Sequence, residues 1–339
     1  MIPYLLIAVF AISFFITGAI RRYALARQLM DIPNARSSHS VPTPRGGGVG
    51  FVVAFLLALP ILVWMGAVDV RGALALGIPG LMVAVLGFID DHGHVAARWR
   101  LLGHFAASVI GLWLLNGLPP VEVAGRVLDL GWVGNVLAVF YLVWMLNLFN
   151  FMDGIDGLAA SEAVFVLGGL CLIQYLLGAH DGELLPAVGG ISVIAFLLWN
   201  LPPARIFMGD AGSGFLGLTI ALVTIFSTQH NPKTLWAILI LSGFFVIDAT
   251  LTLLSRLLQG KTLYTAHSTH AYQHSARRLN GHLRVVVCVM ALNFLFLLPL
   301  ALAVALGKVD PLAGVILSYV PLAVLVLFLG AGREGPSNW

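Results

Sequence analysis

Long apolar runs, each near the length needed to cross a lipid bilayer, restrict the fold of this sequence more than any other feature. A membrane-crossing helix needs roughly 20 mostly apolar residues. A soluble domain carries about 25% charged residues, but here only 10% are charged and 60% are hydrophobic. The sequence therefore predicts an all-α, polytopic membrane protein and excludes a disordered, coiled-coil, collagen-like or disulfide-scaffold chain. The eleven predicted spans are 3–20, 48–66, 72–89, 101–118, 133–149, 158–178, 186–201, 212–228, 234–258, 285–307 and 311–330.

The distribution of Lys and Arg predicts the orientation of these spans. Cytoplasmic loops carry an excess of both residues. With the N-terminus outside, 14 of the 18 Lys and Arg residues fall on the inner side. The odd number of spans then places the C-terminus inside, and most histidines and loop carboxylates also fall on the inner side. We therefore predict one membrane domain, 1–339, with cytoplasmic active-site loops at 21–47, 90–100, 150–157, 202–211 and 259–284.

Two adjacent carboxylates, Asp90 and Asp91, end the third predicted span. Neighbouring carboxylates repel each other unless a cation lies between them, and the C-terminus of a helix prefers cations to anions. An acidic pair at this position is therefore electrostatically unfavourable. This favours a functional site over a solvated helix end.

The most informative stretch, 147–159, lies at the inner end of the fifth span. Asn147, Asn150 and Asp153 recur every three residues, close to one helical face, and two Asp-Gly pairs then predict a tight turn that presents Asp153 and Asp156. An EF-hand calcium loop needs further oxygen ligands and a distal Glu, which are missing here. Amides and carboxylates gathered at a membrane surface favour a magnesium–nucleotide site over a plain turn.

Two glycine-rich inner segments are candidates for phosphate contact. In 207–214, a helix beginning after Asp210 would direct its positive end at a phosphate. The same residues would equally serve as an N-cap and as small residues for helix packing. Arg45 precedes three glycines at 46–48 but lacks the Lys-Ser/Thr ending of a P-loop. Phosphate contact and a flexible cap are equal alternatives for that segment.

The last long inner loop carries His267, His270, His274, Arg277 and Arg278. His270 and His274 are four residues apart, as zinc ligands on a helix can be, but no Glu supplies the base of a metalloprotease motif. Together with Tyr272 and Gln273, these imidazole and guanidinium groups provide donors, acceptors and a stacking face, which suit a sugar and a diphosphate. The loop is therefore predicted to bind such a ligand.

One carboxylate, Asp248, falls within the ninth predicted span. A charged side chain at that depth is costly and is a functional candidate by default. Ser242, Thr250 or Thr252 would equally satisfy it as a buried structural group. The sequence leaves both alternatives open.

Taken together, these segments resemble one enzyme family. The Asp90-Asp91 pair, 147–159, the Phe-Met-Gly-Asp sequence at 207–210 and the histidines of 267–274 occur in the order typical of bacterial polyprenyl-phosphate N-acetylhexosamine-1-phosphate transferases. This family includes phospho-N-acetylmuramoyl-pentapeptide transferase and the enzymes that begin O-antigen assembly. The resemblance covers nearly the whole chain. It implies transfer of a sugar 1-phosphate from a UDP-sugar to undecaprenyl phosphate, with release of UMP.

The resemblance also implies roles for individual residues. Asp90 and Asp91 match the paired aspartates, one of which would either orient or deprotonate the lipid phosphate, or attack first and form an aspartyl-phosphate. Asp210, with Asp91, would bind Mg²⁺, for which Mn²⁺ would substitute. The residues expected to contact the donor are Arg45, Asn147, Asn150, Asp153, Asp156, His267, His270, His274, Arg277 and Arg278.

The sequence departs in two places from the phospho-N-acetylmuramoyl-pentapeptide transferases, the wall-precursor enzymes of this family. Both departures bear on which donor is used. Those enzymes carry a Lys soon after the paired aspartates and a compact His triplet, whereas here His92-Gly93-His94 follow and the later histidines are spread out. This favours an O-antigen initiator that uses a UDP-N-acetylhexosamine or a 6-deoxy form over a muramoyl-pentapeptide donor. The expected partners are that donor, undecaprenyl phosphate and the lipid bilayer, with no nucleic acid and with a homodimer as an open alternative. The expected location is the bacterial inner membrane, with the active site facing the cytoplasm.

A multi-span transporter of anionic or sugar substrates is the main alternative to an enzyme. Transporters place ionisable residues near the bilayer midplane on broken helices. Here the candidate site carboxylates named above, apart from Asp248, lie at the inner ends of predicted helices. This placement favours the enzyme.

Overall fold

The computed structural model describes residues 1–33, 41–93, 95–179, 182–261 and 267–333. Parts of the predicted loops 21–47, 90–100 and 259–284, among them His39 and His94, lie outside the described residues. The described chain is mostly helical, as predicted, and a π-helical turn, Asn293–Leu297, joins α12 to α13. The helices are α1 (Ile2–Ala26), α2 (Val49–Trp64), α3 (Val70–His92), α4 (Ala97–Leu114), α5 (Gly131–Met152), α6 (Leu158–Leu176), α7 (Leu184–Asn200), α8 (Asp210–Thr228), α9 (Thr234–Leu241), α10 (Gly243–Leu258), α11 (Ala271–Arg278), α12 (His282–Leu292), α13 (Leu298–Ala305) and α14 (Pro311–Phe328).

Each of the eleven predicted spans contains a helix, but these helices differ in length and polarity. Among the described residues, seven helices are long and apolar enough to cross a membrane, or eight if α9 and α10 count as one span. The seven are α1, α3, α5, α6, α8, α14 and the combined α12–α13 helix. Helices α2 and α7 are shorter, and α4 carries Arg98 and Arg100 in its first turn. The chain is a polytopic membrane protein, while the count of eleven spans and the N-out orientation stay predictions.

The ninth predicted span, 234–258, is not one continuous helix. Helix α9 ends at Leu241 and α10 begins at Gly243, and the two helices are bent by 68° relative to each other. A Ser-Gly pair is a common cause of such a kink. Gly243 also packs closely, since a Cβ there would lie 3.0 Å from Leu322 of α14. Beyond the bend, α10 packs against α11, the short helix in the last long loop.

Two short antiparallel strand pairs accompany the helices and were not predicted. They are β1 (Met30–Asp31) with β2 (Thr43–Pro44), and β3 (Val121–Val123) with β4 (Arg126–Leu128). The chain that leaves β2 continues to pair along the segment before α8. There, Phe207 N donates to Pro44 O at 2.8 Å and Gly47 N donates to Phe207 O at 2.9 Å. These bonds hold the segment 45–48 against the start of α8.

Helix α8 lies at the centre of the molecule and brings the predicted site segments together. Its residues after Asp210 are buried, and it packs chiefly on α3 and α5. Glycines allow these close approaches: a Cβ on Gly87 of α3 would lie 2.5 Å from Ala211 N, and one on Gly217 would lie 2.8 Å from Cα of Leu146 in α5. The C-terminal ends of α3 and α5 therefore meet the N-terminal end of α8.

Candidate active site

A cavity of about 210 Å³ lies where these three helix ends meet. Six residues predicted for the site line it, and so do five other polar side chains from five parts of the chain. The predicted residues are Arg45, Asp91, Asn150, Asp153, Asp156 and Asp210, and the others are Asp31, Asn200, Ser213, Gln273 and His282, with Gly154, Ile155, Phe207 and Gly209 completing the wall.

The Asp91 carboxylate caps the N-terminus of α8 from a neighbouring helix. Its oxygens accept hydrogen bonds from the backbone N–H groups of Asp210, at 3.1 Å, and Ala211, at 3.3 Å. The next two N–H groups of α8, those of Gly212 and Ser213, donate to Gly209 O. A carboxylate is favourable at a helix N-terminus. The sequence predicted that these terminal N–H groups would face a phosphate. In the structure all four already have partners within the chain.

Gly209 makes this capping contact possible. Its φ of +78° lies in the left-handed region that favours glycine. A Cβ at this position would lie 2.6 Å from Oδ2 of Asp91 and 2.9 Å from Gly46 N. The chain therefore has no room for a side chain between Asp91 and the segment 45–48.

Gly209→Ala is expected to displace Asp91, lower the melting temperature in detergent and abolish any activity of this site. Gly66→Ala is a matched control, because Gly66 has a φ of +74° but nothing within 4 Å of an added Cβ. Both variants place an alanine at a positive φ. Gly209→Ala also meets a ψ of 167°, a combination essentially restricted to glycine that costs about 1–3 kcal/mol, and only this variant disturbs the Asp91 cap. Equal melting temperatures for the two variants would contradict this account of Gly209.

Asp90 is bound by a cation that the sequence analysis did not single out. One Asp90 oxygen accepts the Val95 N–H at 2.8 Å, and the other is paired with the Arg100 guanidinium. The same Arg100 nitrogen lies 3.1 Å from Oδ2 of Asp210. Arg100 thus bridges two of the predicted acids, from the first turn of α4. The signal was present, since Arg100 is an inner-side cation ten residues after Asp90.

Two asparagines of α5, predicted together, take different places. Asn150 donates to Oδ1 of Asp210 and to Oγ of Ser213, both at 3.0 Å, and it lines the cavity. Asn147 donates to Val143 O in its own helix at 2.7 Å and does not line this cavity. The structure thus connects Asn150, but not Asn147, with Asp210.

Asp153 differs from the other acids of the cavity. Asp156 accepts the Ala204 N–H at 3.0 Å and lies 3.2 Å from Nδ1 of His282. In the part of the chain that the structure describes, no hydrogen bond or ion pair reaches the Asp153 carboxylate. Burial, and then the negative charges of Asp210, Asp91 and Asp156, raise the pKa of Asp153 well above its usual value. A cation bound here would relieve this repulsion.

The donor atoms of the cavity fit Mg²⁺ better than a metal that needs a complete protein cage. The described residues contain no cluster of three His, Cys, Asp or Glu side chains arranged as a metal site. Mg²⁺ usually binds through one or two carboxylates, with waters and substrate phosphates completing its shell. The unpaired Asp153 and the partly exposed Asp210 carboxylate provide that number of ligands.

The loop histidines do not line the cavity. The rings of His267 and His270 stack with centroids 5.0 Å apart, and His270 and His274 are each only 2% exposed. Burial, followed by the charges of His270 and Arg256, lowers the pKa of His267 to about 4, so its imidazole is neutral at pH 7. The predicted contacts of these side chains with the donor stay predictions.

The two arginines of this loop lie at its surface. Arg277 donates to Ser268 O at 2.9 Å and lies 3.0 Å from Nδ1 of His274. Arg278 is exposed at the end of α11. Gln273 of α11, whose amide belongs to the same predicted sugar-binding segment, lines the cavity.

Asn200 connects two segments of the site that lie far apart in the sequence. Its Oδ1 accepts the Gly157 N–H and its Nδ2 donates to Ile206 O, both at 3.0 Å. The turn that carries Asp153 is thereby fixed relative to the segment that leads to Asp210. This arrangement offers carboxylates, amides and two arginines around a small polar cavity at one end of a helix bundle.

Known proteins resemble this chain in sequence. The glycosyl transferase family 4 model matches residues 73–228, which include Asp90, Asp91, Asp153, Asp156 and Asp210. The decaprenyl-phosphate N-acetylglucosaminephosphotransferase of Mycobacterium leprae is 30% identical over 311 residues, covering 82% of this chain and 77% of the relative. The chain belongs to the polyprenyl-phosphate N-acetylhexosamine-1-phosphate transferase family. The resemblance seen in the motifs is thereby confirmed, and the protein is a multi-pass membrane enzyme of the sugar-phosphate transferase class.

Two further relatives carry different donor names. A Bacillus subtilis protein named "probable undecaprenyl-phosphate N-acetylglucosaminyl 1-phosphate transferase" is 28% identical over 289 residues, covering 83% of this chain and 79% of its own. The phospho-N-acetylmuramoyl-pentapeptide-transferase of Listeria monocytogenes is 28% identical over 274 residues, covering 74% and 82%. Because both types match to a similar degree, overall similarity does not distinguish the two donors.

Proposed function

We propose that this enzyme transfers an N-acetylhexosamine 1-phosphate from a UDP-sugar to undecaprenyl phosphate, releasing UMP. The step would begin a lipid-linked glycan of the cell envelope, such as O-antigen, at the cytoplasmic face of the bacterial inner membrane. The main support is the unpaired Asp153 carboxylate beside Asp210, in a cavity built by three helix ends. The family of the chain and the two arginines near these acids agree with anionic substrates.

Charge is the main obstacle to this reaction, because both the lipid phosphate and the donor diphosphate are anions. Mg²⁺ held by Asp153 and Asp210 would neutralise the diphosphate and stabilise charge in the transition state. The chain contributes Arg45, whose side chain is 42% exposed beside Asp91, and Arg100, which bridges Asp90 and Asp210.

The proposed bond changes occur at the sugar-linked phosphorus of the donor. A lipid phosphate oxygen forms the new bond to that phosphorus, and the bond to the bridging oxygen breaks, so that this oxygen leaves with UMP. A phosphomonoester has a second pKa near 6 and is mostly dianionic at pH 7. The nucleophile therefore needs orientation more than deprotonation. This suits Asp90 and Asp91, which hold Arg100 and the start of α8 in place.

The test is UMP release by the purified protein in liposomes. Release is expected only when UDP-N-acetylglucosamine or a related UDP-N-acetylhexosamine, undecaprenyl phosphate and Mg²⁺ are all present. A transporter would instead accumulate labelled donor inside sealed vesicles and form no UMP. Absence of UMP with every UDP-N-acetylhexosamine offered would refute the proposed reaction.

The donor is expected to be a simple UDP-N-acetylhexosamine or its 6-deoxy form. The residues that follow Asp91, and the spread of His267, His270 and His274, depart from the wall-precursor pattern. We expect kcat/KM for the simple donor to exceed that for UDP-muramoyl-pentapeptide by at least about 100-fold, or roughly 3 kcal/mol in transition-state binding. Equal kcat/KM values for the two donors would overturn this assignment.

A further inference from the structure

Asp248 is a fully buried carboxylate in α10 whose partners lie mainly in another element. Its oxygens accept the backbone N–H groups of Ala271, at 2.9 Å, and Tyr272, at 3.0 Å, which open α11. The hydroxyl of Thr252, one turn further along α10, donates to it at 3.1 Å. Nδ1 of His270 lies 3.4 Å away. The carboxylate thus caps α11 from outside, where an anion is favourable.

Helix α11 in turn forms part of the wall of the catalytic cavity. The Tyr272 hydroxyl donates to Phe151 O at 2.9 Å, two residues before Asp153. Gln273 lines the cavity, and its Oε1 accepts the His270 N–H at 3.2 Å. A Cβ on Gly154 would collide with the Tyr272 hydroxyl and would lie 3.2 Å from Nε2 of Gln273. The Asp153–Gly154 turn therefore packs directly on the first turn of α11.

A purely local role for Asp248 does not account for these bonds. A buried carboxylate must be hydrogen-bonded, and Thr252 would supply a partner within α10 itself. Two of its three hydrogen bonds nevertheless go to the backbone of a separate helix that lies against Asp153. The bend at 242–243 precedes Asp248 by less than two turns, and α10 beyond the bend packs on α11.

We propose that Asp248 is a positioning residue of the transfer reaction. It holds the first turn of α11 so that Gln273 and the Asp153–Gly154 turn keep the spacing that the donor requires. The residue touches no substrate and acts through α11. This inference rests on the proposed function, because its kinetic effect is measured in the transfer assay.

Two substitutions weaken the hydrogen bonds between Asp248 and α11, one at the carboxylate and the other at the backbone of α11. Asp248→Asn removes the charge and turns one acceptor into a donor facing a backbone N–H. Ala271→Pro deletes one of the anchored N–H groups and leaves Asp248 intact. Proline is tolerated at the first position of a helix, and His270 has the extended backbone (φ −70°, ψ 150°) that a following proline requires. The second variant keeps the proposal testable if the first fails to fold.

Both variants are expected to raise the apparent KM for the UDP-sugar about ten- to a hundred-fold, the usual effect of losing a hydrogen bond to a charged group. The KM for undecaprenyl phosphate is expected to stay unchanged. Thr252→Val is the matched control, because it removes a bond to the same carboxylate but leaves α11 attached. Its donor KM is expected to stay within about threefold of the unmodified protein.

The decisive test combines a double-mutant cycle with hydrogen exchange of the full-length protein in detergent. If Asp248 acts through α11, adding Asp248→Asn to Gln273→Ala should raise the donor KM by less than about threefold, since coupled residues are not additive. The amides of Ala271 and Tyr272 should exchange faster in Asp248→Asn than in Thr252→Val. Additive effects on KM, or unchanged exchange at both amides, would overturn the positioning role. Lack of UMP release by the unmodified protein would instead refute the proposed function, whatever the exchange data show.

Discussion

Asp153→Asn is expected to abolish sugar 1-phosphate transfer and, at the same time, to make the metal-free protein more stable at alkaline pH. In the described structure this carboxylate has no hydrogen-bond partner, and its proposed role is to bind Mg²⁺ with Asp210. Asn keeps the shape of the side chain but removes the charge. A substitution that stabilises the fold while removing function is typical of a site whose like charges repel each other until a ligand binds.

The pH dependence of this stability effect follows from the direction of the pKa shift. Burial and the neighbouring acids raise the pKa of Asp153, so the folded protein binds this proton more tightly than the unfolded chain does. Stability in EDTA is therefore expected to fall as pH rises from the ordinary Asp pKa towards the raised value. The Asn variant lacks this loss and should melt about 2 °C or more above the unmodified protein at pH 8.

The matched control is Asp129→Asn, at an exposed acid whose Oδ1 accepts the Gly131 N–H at 2.8 Å. Asn retains that acceptor, so neither activity nor the pH profile of melting should change. Transfer at the normal rate by Asp153→Asn, or a lower melting temperature at pH 8 in EDTA, would contradict this account of Asp153.

Asp210→Asn is expected to lower kcat for transfer by at least about 10²–10³-fold, the usual effect of losing one group that stabilises transition-state charge. Its two carboxylate oxygens are held by Asn150 and Arg100. Asn has only one acceptor oxygen and no charge, so it cannot accept from both side chains or form the ion pair with Arg100. Melting in detergent should change little, because the backbone N–H of residue 210 still reaches Asp91.

Asp69→Asn serves as the control for this second prediction. Asp69 caps the N-terminus of α3 by accepting the Gly72 N–H at 2.8 Å, and Asn is an equally good N-cap. The two variants thus make the same chemical change at the starts of two helices. Normal transfer by Asp210→Asn at saturating Mg²⁺ would remove Asp210 from the site.

Much of the fold was predictable because a bilayer imposes helices on long apolar runs. The convergence of Asp91, Asp153 and Asp210 was predictable in outline, since each acid follows or precedes such a run on the same predicted side. The sequence could not show that Asp91 caps α8, because its partners Asp210 and Ala211 lie 119 and 120 residues away. That contact depends on how α3 packs on α8.

Residue composition alone does not predict the burial of the loop histidines. A segment rich in His and Arg predicts a polar surface. In the structure, His270 and His274 are buried, and His274 contacts the backbone of Arg333. Only the structure identifies Gln273 as the side chain of α11 that lines the cavity. Asp248 was ambiguous for the same reason: its partners, Ala271 and Tyr272, belong to a helix too short to have been recognised from sequence.

The central claim is that the sugar and its attached phosphate move together, and the fate of that phosphate tests it directly. UDP-N-acetylglucosamine labelled with radioactive phosphorus only in the sugar-linked phosphate would be incubated with the protein, undecaprenyl phosphate and Mg²⁺. The account predicts that the label enters the lipid fraction in amounts equal to the UMP released, and that the UMP is unlabelled. Label released as UDP, with sugar but no label in the lipid, would show transfer of the sugar alone and would contradict the account.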